Sequence, residues 1–121
     1  MPSHLLSLGT MTVFYVPSHK LDAPELYPDR TARSDIHRYL MQNHSAYTQT
    51  PTPVKGFWMN QAGKPVHDVM ERFEVSFSEQ ADTEFARLIE FLVSLCDRLE
   101  EDAIYVTRGD RSYLVTRSPI A

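Results

Sequence analysis

The chain has 121 residues, a mass of 13.9 kDa and a formal net charge of −4, so it is about one domain long and lacks the basic surface of a dedicated nucleic-acid binder. Its 42% hydrophobic and 23% charged residues are typical of a globular protein. No run approaches the roughly 20 apolar residues of a membrane span, and the single cysteine, Cys96, cannot form an internal disulfide. We therefore expect a cytoplasmic protein that binds neither nucleic acid nor membrane.

The first half of the chain predicts one strand and one short helix between irregular segments. Residues 1–10 are expected to be a flexible extension, and the β-branched and aromatic residues of 11–16 predict the first strand. Three prolines interrupt 17–30, which is expected to be a loop without regular structure. The segment 31–43 predicts a helix with a threonine or serine as its N-cap. The prolines of 48–53 favour an extended linker.

A β-hairpin is predicted in the middle of the chain. Residues 54–59 and 66–77 have strand character and flank a glycine-containing turn. Apolar and polar residues alternate along the second strand, which indicates one buried face. Trp58 has the opposite parity to Phe57 and Met59, so a large apolar side chain must stay exposed or be covered by a partner on one face.

The strongest pattern is a long amphipathic helix from Asp82 to about Glu101. Asp82 can act as its N-cap, and leucines recur at helical spacing along one continuous stripe that includes Cys96. Residues 104–107 and 112–115 follow as a second hairpin, in which Gly-Asp suits a tight turn.

The predicted order β-α-β-β-α-β-β resembles the ferredoxin-like split βαβ arrangement with one added C-terminal strand. The resemblance implies an α+β fold in which two helices cover one face of an antiparallel sheet. It places a single domain at 11–117 and a C-terminal tail at 118–121. The scaffold hosts many unrelated functions, so the resemblance by itself assigns none.

One set of polar residues is a candidate ligand pocket between the sheet and the first helix. Glu71 has the parity of the buried face, where a carboxylate is costly unless it is paired. It either lies beyond the edge of the core in water or meets Arg33, Arg38 or His37 of the first helix. The candidate pocket residues are His37, His67, Glu71, Arg72 and Tyr113. No catalytic residue, metal site or cofactor is assigned.

The leading functional interpretation is a non-catalytic binding or oligomerisation module that acts as a homodimer or as an accessory subunit of another protein. An antiparallel sheet with helices on one side normally keeps its other face polar. Here large apolar groups remain on both faces, and Trp58, Tyr105 and Leu114 are the candidate interface residues. The alternative is a small α+β enzyme or ligand-binding domain that uses the polar pocket.

Overall fold

The computed structural model describes residues 3–24, 29–60, 62–77 and 81–117, so the predicted tail at 118–121 lies outside the described residues. Within these ranges the protein is an α+β chain with a five-stranded antiparallel sheet and three helices. Its elements are β1 (Thr10–Pro17), α1 (Ser18–Leu21), α2 (Ala32–His44), β2 (Thr48–Met59), β3 (Pro65–Phe77), α3 (Ala81–Leu99), β4 (Ala103–Arg108) and β5 (Arg111–Thr116). Of the helices in the described part, none is long and apolar enough to cross a membrane.

The strands lie in the order β2-β3-β1-β4-β5, and every neighbouring pair is antiparallel. This order differs from that of a simple ferredoxin-like sheet because β5 continues the sheet beyond β4. The structure also adds α1, a single turn where the sequence predicted only a loop. Pro17 stands at its N-cap, a position that needs no backbone N–H donor within the helix.

The predicted linker at 48–53 is wrong, because these residues belong to β2. Thr48 to Thr50 pair with β3, and the register then shifts before pairing resumes at Val54. The prolines at 51 and 53 fall within this shift. Since β2 is an edge strand, its prolines interrupt the ladder without leaving a central strand unpaired. Prolines in a bulged edge strand therefore give the same sequence pattern as prolines in a linker.

The core lies between the helices and one face of the sheet. Phe14 of β1 stacks on Phe73 of β3 with ring centroids 5.3 Å apart, and the predicted leucine stripe of α3 packs above them. Leu88, Leu92 and Cys96 are fully buried, which confirms the stripe as core. The helix begins one residue earlier than predicted, so Asp82 lies in its first turn and is not its N-cap.

The β2–β3 hairpin extends past the end of β1. The pairing of β1 with β3 ends at Pro17, opposite Met70, so the first residues of β3 pair with β2 alone. At this end of the sheet, the face away from α2 and α3 is open to solvent. The overhanging hairpin forms one wall of a groove on this face.

Candidate functional site

The largest of the cavities described in this structure is a groove on the outer face of the sheet, away from α2 and α3. It has a volume of about 660 Å³, within the range of small-molecule sites. One wall is the overhanging β2–β3 hairpin, and the opposite wall is β4 with the loop that precedes it. We call it the outer-face groove. Its lining residues are Tyr15, Pro17, Val54 to Met59, Asp68, Met70, Glu101 to Tyr105 and Leu114.

Aromatic side chains line both walls of the outer-face groove. Trp58 stands on the hairpin and remains 48% exposed. Tyr105 stands on β4, with its ring centroid 5.8 Å from that of Tyr15 on β1. Tyr15 and Tyr105 have the parity opposite to the buried core residues of their strands, and strand pairing places Trp58 on the same face as Asp68, so all three side chains lie on the outer face. Flat apolar surfaces of this kind bind planar rings and organic cations.

A glycine shapes the wall of the groove between the aromatic groups. Gly56 of β2 is paired with Asp68 of β3. A Cβ atom at Gly56 would lie 2.5 Å from the Cε atom of Met70, so the space that a side chain would fill is occupied by this thioether group. The glycine thus lets the side chain of Met70 lie across β2, next to Asp68 on the same face of the sheet.

The C-terminal end of α3 places a second carboxylate, that of Glu101, in the groove. Glu100 adopts a left-handed backbone conformation with φ 56°, and the backbone N–H of Glu101 donates to the carbonyl of Cys96 at 2.9 Å. This is the pattern of a Schellman C-cap, and it ends the helix before the predicted Glu101. Lys20 of α1 donates to the carbonyl of Leu99 at 2.7 Å and pairs with the carboxylate of Glu101 at 3.0 Å.

The carboxylates in the groove differ in their surroundings. Glu101 is already paired with Lys20, and Asp102 is exposed at the rim. Asp68 is half-buried, and among the described residues no side chain forms a hydrogen bond or ion pair with it. Across the described ranges, no group of three or more His, Cys, Asp or Glu side chains is arranged to hold a metal ion.

None of the cavities described in this structure is lined by the predicted pocket residues as a set. Glu71 is 6% exposed and accepts two hydrogen bonds from Arg33, at 2.9 and 3.1 Å. Of the two predicted alternatives, the structure therefore shows the one in which Glu71 meets a residue of the first helix. Gln49 donates to the same carboxylate at 2.7 Å, and Arg33 also pairs with Asp22 at 3.0 Å. These hydrogen bonds lower the pKa of Glu71 against the opposing effect of burial. The cluster joins α1, α2, β2 and β3.

The other four predicted pocket residues contact different neighbours. His37 shares a hydrogen bond of 2.8 Å with the hydroxyl of Tyr47. Arg72 lies on the outer face and pairs with Glu74 at 2.6 Å. The remaining two make ring contacts away from Glu71, His67 with Phe57 and Tyr113 with Phe85. Strand alternation separates Arg72 from Glu71, and the length of β3 separates His67 from Glu71.

The predicted interface residues Trp58, Tyr105 and Leu114 all line the outer-face groove. Their role in self-association or in binding another protein stays a prediction. Sequence analysis missed Tyr15, Gly56, Asp68, Met70 and Glu101 as groove residues. One signal was available for Asp68, because pairing about the predicted turn places it opposite Gly56 and diagonal to Trp58 on the same face.

Comparison with known proteins identifies fold relatives only. No family model matches the chain, and no curated protein matches it. Two solved structures of a phage SAM lyase share the fold. The apo enzyme matches with a TM-score of 0.57 and 12% identity over 100% of both chains. The complex with S-methyl-5'-thioadenosine matches with a TM-score of 0.55 and 13% identity over 96% of both chains.

These matches overturn the leading interpretation of the sequence. A non-catalytic binding or oligomerisation module was expected, whereas the solved structures that share the fold are those of a phage SAM lyase, in the apo state and in complex with S-methyl-5'-thioadenosine. The comparison therefore favours the alternative, a small enzyme or ligand-binding domain. The sequence placed the pocket of that alternative between the sheet and α2, whereas the outer-face groove lies on the opposite side of the sheet.

Proposed function

We propose that this protein binds S-adenosylmethionine and its thioether nucleoside S-methyl-5'-thioadenosine in the outer-face groove, as a small enzyme or ligand-binding domain. The observation that carries the proposal is a groove with aromatic and acidic walls, in a chain that shares its fold end to end with a phage SAM lyase. We further propose that the first four strands and α2 and α3 are a ferredoxin-like unit, since β1 lies between β3 and β4.

The chemistry of this ligand suits the groove lining. Adenine is a planar aromatic ring that stacks on tryptophan or tyrosine, and Trp58 and Tyr105 offer such surfaces on opposite walls. The ribose carries two hydroxyl donors, for which Glu101 and Asp102 supply acceptor oxygens at the end of α3. The sulfonium and ammonium groups of S-adenosylmethionine are cations, and they suit a groove with three carboxylates.

Binding is tested by calorimetric titration of the purified protein with S-methyl-5'-thioadenosine and with S-adenosylmethionine. In parallel, the protein is incubated with S-adenosylmethionine and the mixture is separated by chromatography. Saturable binding of either compound supports the proposal. Release of S-methyl-5'-thioadenosine above the no-protein control identifies the protein as an enzyme. If neither compound binds at millimolar concentration and none is converted, the proposal is wrong.

The location of the site is tested with Trp58→Ala. Losing a stacked aromatic ring weakens binding by about 5- to 150-fold, as expected for 1–3 kcal/mol per base. Tyr113→Ala is the matched control, because Tyr113 is also an exposed aromatic residue (41%) but contacts Phe85 on the other face of the sheet. Equal affinity of wild type and Trp58→Ala, with both variants folded, would remove the outer-face groove as the site.

A further inference from the structure

We infer that Asp68 makes the outer-face groove selective for a positively charged sulfonium ligand over the uncharged thioether that lacks only the methyl group. Resting on the function proposed above, this assigns one residue to one part of the ligand. The juxtaposition that carries it is an unpaired, half-buried carboxylate beside the exposed face of Trp58, on the wall of a groove that admits a small molecule.

Asp68 is a groove carboxylate that forms no ion pair with any described side chain. Lys20 already neutralises Glu101 at 3.0 Å, and Asp102 is at the exposed rim, where water and salt screen its field. Asp68 is half-buried and has no hydrogen-bonding or ion-pairing side chain among the described residues. A carboxylate that is partly removed from water without a partner costs free energy, which a bound cation recovers.

The register of the hairpin places Asp68 and Trp58 on the same face of the sheet, where both line the groove. Asp68 is paired with Gly56, which has no side chain, and the neighbouring position on the same face of β2 is Trp58. The methyl group of Met70 covers Gly56, so a ligand in the groove meets the Asp68 carboxylate and the Trp58 indole as lining groups on the same face. Carboxylates attract a cation through charge, and aromatic faces attract it through their quadrupole, so both groups favour the same ligand charge.

The expected selectivity depends on the distance between the ligand charge and the Asp68 carboxylate and on how strongly solvent screens their attraction. A unit charge about 6 Å from the carboxylate, in a partly solvated groove with an effective dielectric constant of about 40, is favoured by about tenfold in affinity. We expect the wild-type protein to bind S-adenosylmethionine about ten times more tightly than S-adenosylhomocysteine. The two ligands share the adenosine and amino-acid groups and differ by the methyl group and its charge.

The test compares this ratio of dissociation constants in wild type, Asp68→Asn and Asp110→Asn. Asp110→Asn removes the same charge from the exposed turn at the other end of the β4–β5 hairpin. We expect the ratio to fall severalfold toward one in Asp68→Asn and to stay near ten in Asp110→Asn. If the protein converts S-adenosylmethionine, sinefungin, which carries an ammonium group near the sulfonium position, replaces it.

Uncharged S-methyl-5'-thioadenosine separates this inference from the function on which it rests. Its affinity should be the same in all three proteins, which shows that the groove of Asp68→Asn is intact. A ratio that is unchanged in Asp68→Asn, or already near one in wild type, overturns the role of Asp68 while leaving the proposed function standing. Absence of binding of all these nucleosides to the wild type overturns the proposed function itself.

Discussion

Glu71 is a buried carboxylate whose charge is stabilised by the neighbouring helix. Its side chain is 8% exposed, and Arg33 donates to both of its carboxylate oxygens. Replacing Arg33 with methionine leaves Glu71 buried and without its cation, so we expect a loss of about 1–3 kcal/mol in the free energy of unfolding at pH 7. Urea denaturation measures it. Arg33→Met combined with Glu71→Leu should recover most of that loss, because no charge is left buried.

The same pair predicts a pH dependence with a defined sign. Because the hydrogen bonds from Arg33 lower the folded-state pKa of Glu71, the pair stabilises the fold above the ordinary carboxyl pKa near 4.5. That contribution is lost as the pH falls through the lower folded-state pKa. The stability gap between wild type and Arg33→Met should therefore narrow between pH 5 and pH 3. A gap of constant size over this range would show that the charge of Glu71 is not its source.

The helix α3 supplies the main apolar stripe of the core. Leu92 lies at the centre of this stripe and is fully buried. Leu92→Ala should therefore lower the free energy of unfolding by about 2–5 kcal/mol, as buried leucine truncations do. Val93→Ala is the control on the same helix, since Val93 is 39% exposed and should lose less than about 1 kcal/mol. Equal losses in the two variants would contradict the orientation of α3.

The same helix also links the core to the outer-face groove. Its C-cap depends on a left-handed non-glycine residue, Glu100, and on the contacts that Lys20 makes with the helix end. Such a backbone conformation is uncommon outside glycine and asparagine. It turns the chain so that Glu101 enters the groove while Leu99 stays in the core. One helix terminus thus positions a core residue and a groove residue two positions apart.

At the scale of the whole molecule, the fold should be independent of the N-terminal extension. Residues 3–9 have no regular secondary structure, and the leucines at 5, 6 and 8 are exposed. Thr10, which was predicted to belong to this extension, instead pairs with Phe77 at the end of β1. A chain that starts at Met11 should keep a cooperative thermal transition within about 5 °C of the full chain, about 1 kcal/mol for this size. Loss of the transition would make the extension part of the fold.

Sequence analysis could predict the elements whose side-chain periodicity is local. The stripe of α3, the alternation of β3 and the C-terminal hairpin are visible because each depends on residues a few positions apart. The pairing of Glu71 with a residue of the first helix was among its alternatives for the same reason, since parity places that carboxylate toward the helices.

The strand order, the bulged pairing of residues 48–54 and the outer-face groove depend on contacts between distant parts of the chain. The groove draws residues from β1, β2, β3, β4 and β5 and from the loop after α3. Asp68 and Glu101 line the same groove because β1 ends at Pro17 and leaves the hairpin overhanging. Contacts between residues this far apart in the chain depend on which strands pair and where each ends, and no local pattern of apolar and polar residues encodes that.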